Sequence, residues 1–211
     1  MSLTDEVSKK SDKSSEGCVE DLRMLELLVY LKAEQAVGRY RLKDLLGMRQ
    51  NEWVVRRMLS QLAQKGLVRP TRSGSILTND GRRYVDQTLE RNGIVDIKEV
   101  NLDIMEVGPK SVAVQVRDRK SLPSLLTLRD EAVKAGAKGA VVFIYRNGDL
   151  SVPYVYRSIL SRYPEVFHDL KKKFTFCDGD IMIVGFAAEI SGALAGALAV
   201  ALAMRSDETD I

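Results

Sequence analysis

Histidine, cysteine and tryptophan are scarce in this sequence, and each scarcity removes a class of chemistry. The 211-residue chain carries a single histidine, His168. A histidine triad or a multi-histidine metal site would therefore need partners from a second chain, which sets aside ordinary hydrolase and zinc chemistries. His168 lies in "EVFHDLKKKF", an amphipathic helical pattern that places the imidazole at a surface or interface rather than in the role of catalytic base. Cys18 and Cys177 match no metal spacing and form no CxxC, and the N-terminus has no signal-peptide pattern. Both observations point to a reduced, cytoplasmic chain. There is no G-x-x-x-x-G-K-[ST] and no dinucleotide fingerprint. The expectation is no catalytic residue, no metal, no cofactor and no enzyme.

A membrane segment is the next absence. Ile181 to Met204 is 24 residues with Glu189 as its only charge, and a spanning helix needs about 20. Yet "IMIVGF" is β-branched and a Glu-Ile-Ser-Gly break follows it. The uninterrupted run from Ile190 is short and alanine-rich, so a buried helix is expected and a membrane-tethered chain is the weaker alternative. Gly192 and Gly196 form a GxxxG that permits close packing on a sheet or on a second subunit.

What is present is ordinary in bulk and uneven in detail. The chain is 45% hydrophobic and 29% charged with a net charge of +3. Residues 39–92 hold twelve Lys/Arg against five Asp/Glu, whereas residues 93–211 hold fifteen against sixteen. A basic excess confined to one segment favours a polyanionic partner for that segment.

Residues 1–17 lack apolar periodicity and read as a disordered tail. A helix is expected from about Val19 to Gln35, with Leu22, Leu25, Leu28, Val29 and Leu31 inward and Arg23 and Glu26 outward. "RYRLKDLLGM" is a second, short helix stopped at Gly47. Asn51 stands at the N-cap of a third, "NEWVVRRMLSQLAQKG", closed by Gly66. In this helix Val55, Met58, Leu59 and Leu62 form the apolar stripe. "LVRPTRSGSIL" reads as two strands about an Arg72-Ser73-Gly74 tip, and Thr78 caps a fourth helix ending near Gly93, the expected domain boundary.

The order helix, helix-turn-helix, Gly66-Leu67-Val68, basic hairpin and Leu77-Thr78…Gly81 resembles the winged-helix DNA-binding domains of prokaryotic transcription regulators. The whole chain also resembles an archaeal group pairing such a head with an uncharacterised C-terminal domain, through "LRDEAVKAGAKGAVVFIYRNGDLSVP" and "DIMIVGFAAEISGALAGALAVALA". The resemblance implies double-stranded DNA as partner, with phosphates held by Arg41, Lys43, Arg69, Arg72 and Ser73. Bases would be read by Gln50, Asn51, Trp53, Arg56, Arg57 and Ser60 on the third helix, set in the major groove. Other readings stand beside it. Paired arginines can be a solvated face, Trp53 can be core, and winged helices also dock proteins.

After Val95 strands and helices mix. "VDIKEVNLDIMEV" and "SVAVQVRD" read as strands about Gly108-Pro109, and Asn147-Gly148 as a hairpin turn. Helices are expected at 125–135 and in "PEVFHDLKKKF". Gly136, Gly139, Gly185 and the Asp178-Gly179-Asp180 stretch could line a pocket or hold a cation, though tight turns account for them equally.

The expected fold is α+β: a winged helix-turn-helix domain over 18–93, a mixed α/β domain over 94–205 and an acidic tail over 206–211. The expected function is a DNA-binding transcription regulator, a homodimer whose C-terminal domain senses a small-molecule effector or dimerises. The alternative is a small-molecule-binding or enzymatic C-terminal module with the winged helix docking a protein.

Overall fold

A computed structural model of the chain describes residues 22–48, 51–105, 107–117 and 122–206. The expected tail over 1–17, Cys18, Gln50 and the end beyond Ser206 lie outside the described residues. The architecture is α+β. A helical head with a small hairpin precedes a sheet-rich C-terminal domain.

Helix α1, described over 22–33, is apolar on more than one side because it serves two cores. Leu27, Leu28 and Leu31 pack with Leu42, Val55 and Leu62 in the head. Leu22 and Leu25 pack with Ile94, Val112 and Leu198 of the C-terminal domain. This corrects the outward placement of Glu26, which is fully buried. Single-stripe amphipathicity fails here because a second domain covers what would be the solvent side. Arg23 donates to Glu26 Oε2 at 2.7 Å and reaches the Ala135 carbonyl at 3.5 Å. Glu26 Oε1 has no hydrogen-bond partner. Burial pushes the Glu26 carboxyl up to about 7, against the pull of Arg23. Burial, with Glu26 and Glu99 adding to it, also raises the Tyr30 hydroxyl above its ordinary value.

Helices α2 (Arg39–Leu45) and α3 (Glu52–Gln64) form the helix-turn-helix, and strands β1 (Val68–Thr71) and β2 (Gly74–Leu77) form the wing. The strands pair antiparallel with Arg69 opposite Ile76. Val37 adds a third short strand, exchanging backbone bonds of 3.0 and 2.9 Å with Ser75. The wing is thereby tied to the chain that enters α2.

The Gly-Leu-Val and Leu-Thr-x-x-Gly signatures meet in one lock. Gly66, at φ +72°, ends α3, and the Leu67 amide bonds back to the Leu62 carbonyl at 2.9 Å. Thr78 Oγ1 donates to the Gly66 carbonyl at 2.7 Å and accepts from the Gly81 amide at 2.9 Å, capping α4 (Asn79–Arg91). A Cβ on Gly81 would lie 2.0 Å from the Leu67 carbonyl oxygen. Only glycine lets the start of α4 sit against the end of α3.

The C-terminal domain is a five-stranded antiparallel sheet in the order β3-β4-β7-β5-β6. These strands are β3 (Ile94–Val100), β4 (Lys110–Val116), β5 (Gly139–Arg146), β6 (Asp149–Ser151) and β7 (Ile181–Ala187). Helices α5 (Leu125–Lys134) and α8 (Ile190–Ser206) cover one face through Val112, Val114, Val142 and Ile183. Helices α6 (Ile159–Arg162) and α7 (Pro164–Lys173) cover the other through Ala113, Phe143, Met182 and Val184. Burial on both faces is why "IMIV" runs apolar without alternation.

Three details differ from the sequence reading. The first strand stops at Val100, because the Asn101 side chain accepts from the Asp103 amide at 2.7 Å and turns the chain into a 3-10 turn over Asp103–Met105. Helix α6 was not anticipated; Ser158 caps it, accepting from the Ser161 amide at 3.0 Å. The small-residue face of α8 packs within the chain. A Cβ on Gly185 would lie 2.2 Å from the Ala193 carbonyl oxygen, and one on Gly196 would lie 2.4 Å from Ala137 Cβ. No described helix is long and apolar enough to cross a membrane.

Candidate nucleic-acid interface

Helix α3 divides cleanly. Val55, Met58, Leu59 and Leu62 are buried, and Trp53, Arg56, Arg57, Ser60 and Gln64 are exposed. Trp53 is 67% exposed, so it is not core. It carries the Arg57 guanidinium over its ring at 5.8 Å, a cation–π contact that pre-orients both side chains. Arg56 pairs with Glu52 one turn earlier at 3.2 Å. The two neighbouring arginines are thus held in different directions, as their 100° separation on the helix requires.

Asn51 occupies the N-cap position, but its side chain makes no cap hydrogen bond and stays exposed. The cap expected from the sequence is corrected in that respect: a backbone φ of −122° and ψ of 53° departs from the extended geometry a capping residue usually adopts.

The expected phosphate contacts divide. Arg69 and Arg72 stand exposed on the wing with Ser73, whose Oγ lies 3.2 Å from Thr71 Oγ1. Arg41, by contrast, donates twice to Glu34 Oε1, at 2.6 and 3.2 Å. This pairing raises its pKa and offsets its charge. Lys43 is half-buried above the Tyr40 ring, 5.7 Å from its centroid.

An open groove of about 570 Å³ lies between α2, α3 and the wing, lined among others by Arg39, Tyr40, Ser60, Ala63, Arg72 and Ser73. Ser60, Arg72 and Ser73 were expected there. Arg39 and Tyr40 were missed, although the run "GRYRLKD" carried the signal. The helix begins at Arg39 and turns Leu42 inward, which leaves Arg39 and Tyr40 exposed on its first turn.

The other candidates are structural. Asp180 is buried, pairs with Arg117 at 2.9 Å and accepts from Gln115 Nε2 at 2.6 Å and from the Cys177 amide at 2.8 Å. Asp178 accepts from the Asn147 amide at 2.7 Å, bracing the β5–β6 turn. Their oxygens therefore serve the fold rather than a cation, and no cluster of metal-ligating side chains occurs among the described residues. His168 is exposed, edge-on to Phe167 at 5.6 Å, and Cys177 is an exposed free thiol.

By fold the chain is a winged helix-turn-helix head on a helix-covered antiparallel sheet. Residues 107–204 match the family described as Domain of unknown function (DUF4443). The chain is also similar to the solved structure of a hypothetical protein from Pyrococcus horikoshii OT3. The identity is 27% and the TM-score 0.71, over 88% of this chain and 94% of that one. No curated protein matches. The archaeal likeness of the C-terminal fragments is thus met as a likeness of fold and sequence, with no activity attached.

Proposed function

We propose that the chain is a cytoplasmic DNA-binding transcription regulator whose head grips a duplex while its C-terminal domain senses an effector or dimerises. One observation carries this reading. The α2 start, the outer side of α3 and the wing line a common groove through Arg39, Ser60 and Arg72, and the remaining outward side chains of α3 are Trp53, Arg56 and Arg57. A duplex offers phosphates on both sides of its major groove, and a helix flanked by two cationic arms fits that spacing.

The roles follow from geometry. Arg57, steadied on Trp53, is suited to bidentate contact with guanine O6 and N7, and Ser60, one turn on, to a neighbouring base edge or phosphate. Arg56 exchanges Glu52 for a backbone phosphate. Arg39, Arg69 and Arg72 hold phosphates and set the register, while Arg41 contributes less because Glu34 answers its charge.

The test is Arg56→Ala with Arg57→Ala in a mobility-shift titration over a salt series. Affinity should fall at least tenfold, and the slope of log K against log salt should flatten by about 2, near 0.9 for each lost phosphate contact. Unchanged affinity and slope would take DNA away from this helix.

A further inference from the structure

Strand β5 is only half covered on its outer side. On one side β7 pairs with it from Gly139 to Ile144. On the other, β6 pairs only with Ile144, Tyr145 and Arg146, because the chain leaves the sheet after Ser151 into a Val152–Tyr156 turn that contains Pro153. The Tyr145 amide bonds toward β7, to the Asp180 carbonyl. Alternation along the strand therefore aims the backbone groups of Ala140 and Val142 at the open edge. Natural edges are guarded by charge, proline or bulges, and "GAVVF" has no charge and no proline.

This edge is the floor of a groove of about 340 Å³ lined by Leu125, Leu126 and Arg129 of α5, by Ala140 to Val142, and by Val152 and Val155. Large apolar side chains stand out of its walls: Leu126 is 70% exposed and Val155 64%. Helix α5 is the helix over β5, and besides its buried Leu128 and Ala132 it has an outward stripe of Leu126, Arg129, Asp130 and Val133. These positions are three, four and seven residues apart and so share one face.

That stripe reads the same in both directions. Laid antiparallel on its own copy, Leu126 meets the partner's Val133 and Arg129 meets the partner's Asp130. The β5 edge has matching symmetry, with a twofold axis at Val141 setting Ala140 against the partner's Val142. The two axes lie close together, since Arg129 and Val141 line the same groove.

We infer that a second copy of this chain covers the β5 edge and the outer stripe of α5, joining the two sheets into one through a twofold interface. The inference rests on the regulator reading and deepens it by naming the dimer surface. An isologous contact needs self-complementarity, and here strand polarity, apolar pairing and charge all supply it about one axis. The heads pack at the opposite, β3 edge of each sheet, where α4 runs into β3 at Gly93, so both remain open to a duplex.

The experiment measures the mass of the full chain by sedimentation and light scattering, without DNA, across a concentration series. The wild type should be a dimer, and Leu126→Asp should raise its dissociation constant at least tenfold. Arg129→Asp should do the same by facing two acids across the axis. Adding Asp130→Arg to Arg129→Asp should restore the dimer, a rescue that a folding defect would not show. Val141→Cys, with Cys18 and Cys177 replaced by serine, should crosslink under oxidation. A non-hydrogen-bonded antiparallel pair has Cα atoms about 4.5 Å apart, within disulfide reach.

A monomeric wild type overturns the inference, as does a dimer indifferent to Leu126→Asp or not rescued by the charge swap. Duplex binding is scored separately. A dimer that ignores DNA sinks the regulator reading alone, and a monomer that binds DNA sinks this interface alone.

Discussion

The head and the C-terminal domain handle charge in opposite ways. In the head, Arg56, Arg69 and Arg72 stand in water, and the acid nearest Arg56 is one turn away on the same helix. Such exposed pairs contribute about 0.3–0.5 kcal/mol and give way readily to a phosphate. In the C-terminal domain, Asp180 is buried beneath Arg117 and Gln115, and Gln115 and Arg117 both donate to the Thr175 carbonyl. Those charges join β4 to the loop before β7 and are committed to the fold. Charges left in water are the ones a partner can use.

Ways to break this contrast begin with the close-packed glycines. Gly185→Ala would drive a methyl into the Ala193 carbonyl, and Gly81→Ala one into the Leu67 carbonyl. Each should cost about 3 kcal/mol, the upper range for overpacking. Hydrogen exchange should localise the Gly81→Ala loss to the wing and α4, and the Gly185→Ala loss to β7 and α8. Equal loosening of both regions by either substitution would show that α1 fuses them into one cooperative unit.

The next effect tests the seam. Glu26 has its folded-state pKa raised from 4.5 to about 7 by burial. Between those values the folded chain holds a proton that the unfolded chain has released, so stability falls as pH rises from 4.5 to 7. Glu26→Gln should remove that slope and stabilise the protein on the order of 2 kcal/mol above pH 7, since each unit corresponds to about 1.4 kcal/mol. Little difference should remain near pH 4. Thermal melts across pH check this, and parallel melting curves for the two proteins would refute it.

The smallest effect is Thr78→Ala, which removes the cap of α4 and the bond to Gly66 and should cost about 1 kcal/mol. Its melt should shift by a few degrees with the C-terminal sheet unaffected. A shift as large as that of Gly81→Ala would assign the whole lock to the hydroxyl.

Much of the head was legible in advance because its signals are local. A helix stripe, a glycine stop and a Thr cap act within a few residues, and α3, the wing and α4 fall where those signals put them. The sequence also separates Arg56 and Arg57 from the buried stripe of α3. It misled at α1, where one helix packs in two cores and an acid sits inside. It under-read Arg39 and Tyr40 because their exposure depends on where α2 begins. In the C-terminal domain the Asn101 turn and the short α6 went unread, each set by a single side-chain oxygen.

Periodicity, caps and the placement of basic residues along the chain were therefore settled by the sequence alone, since each depends on neighbours three or four positions away. Tertiary structure decided which side of α1 is solvent, which strand edge stays open, and which cations face a common groove. Those outcomes depend on residues a hundred positions apart being brought into contact, as Arg23 is with Ala135, and no local pattern encodes them.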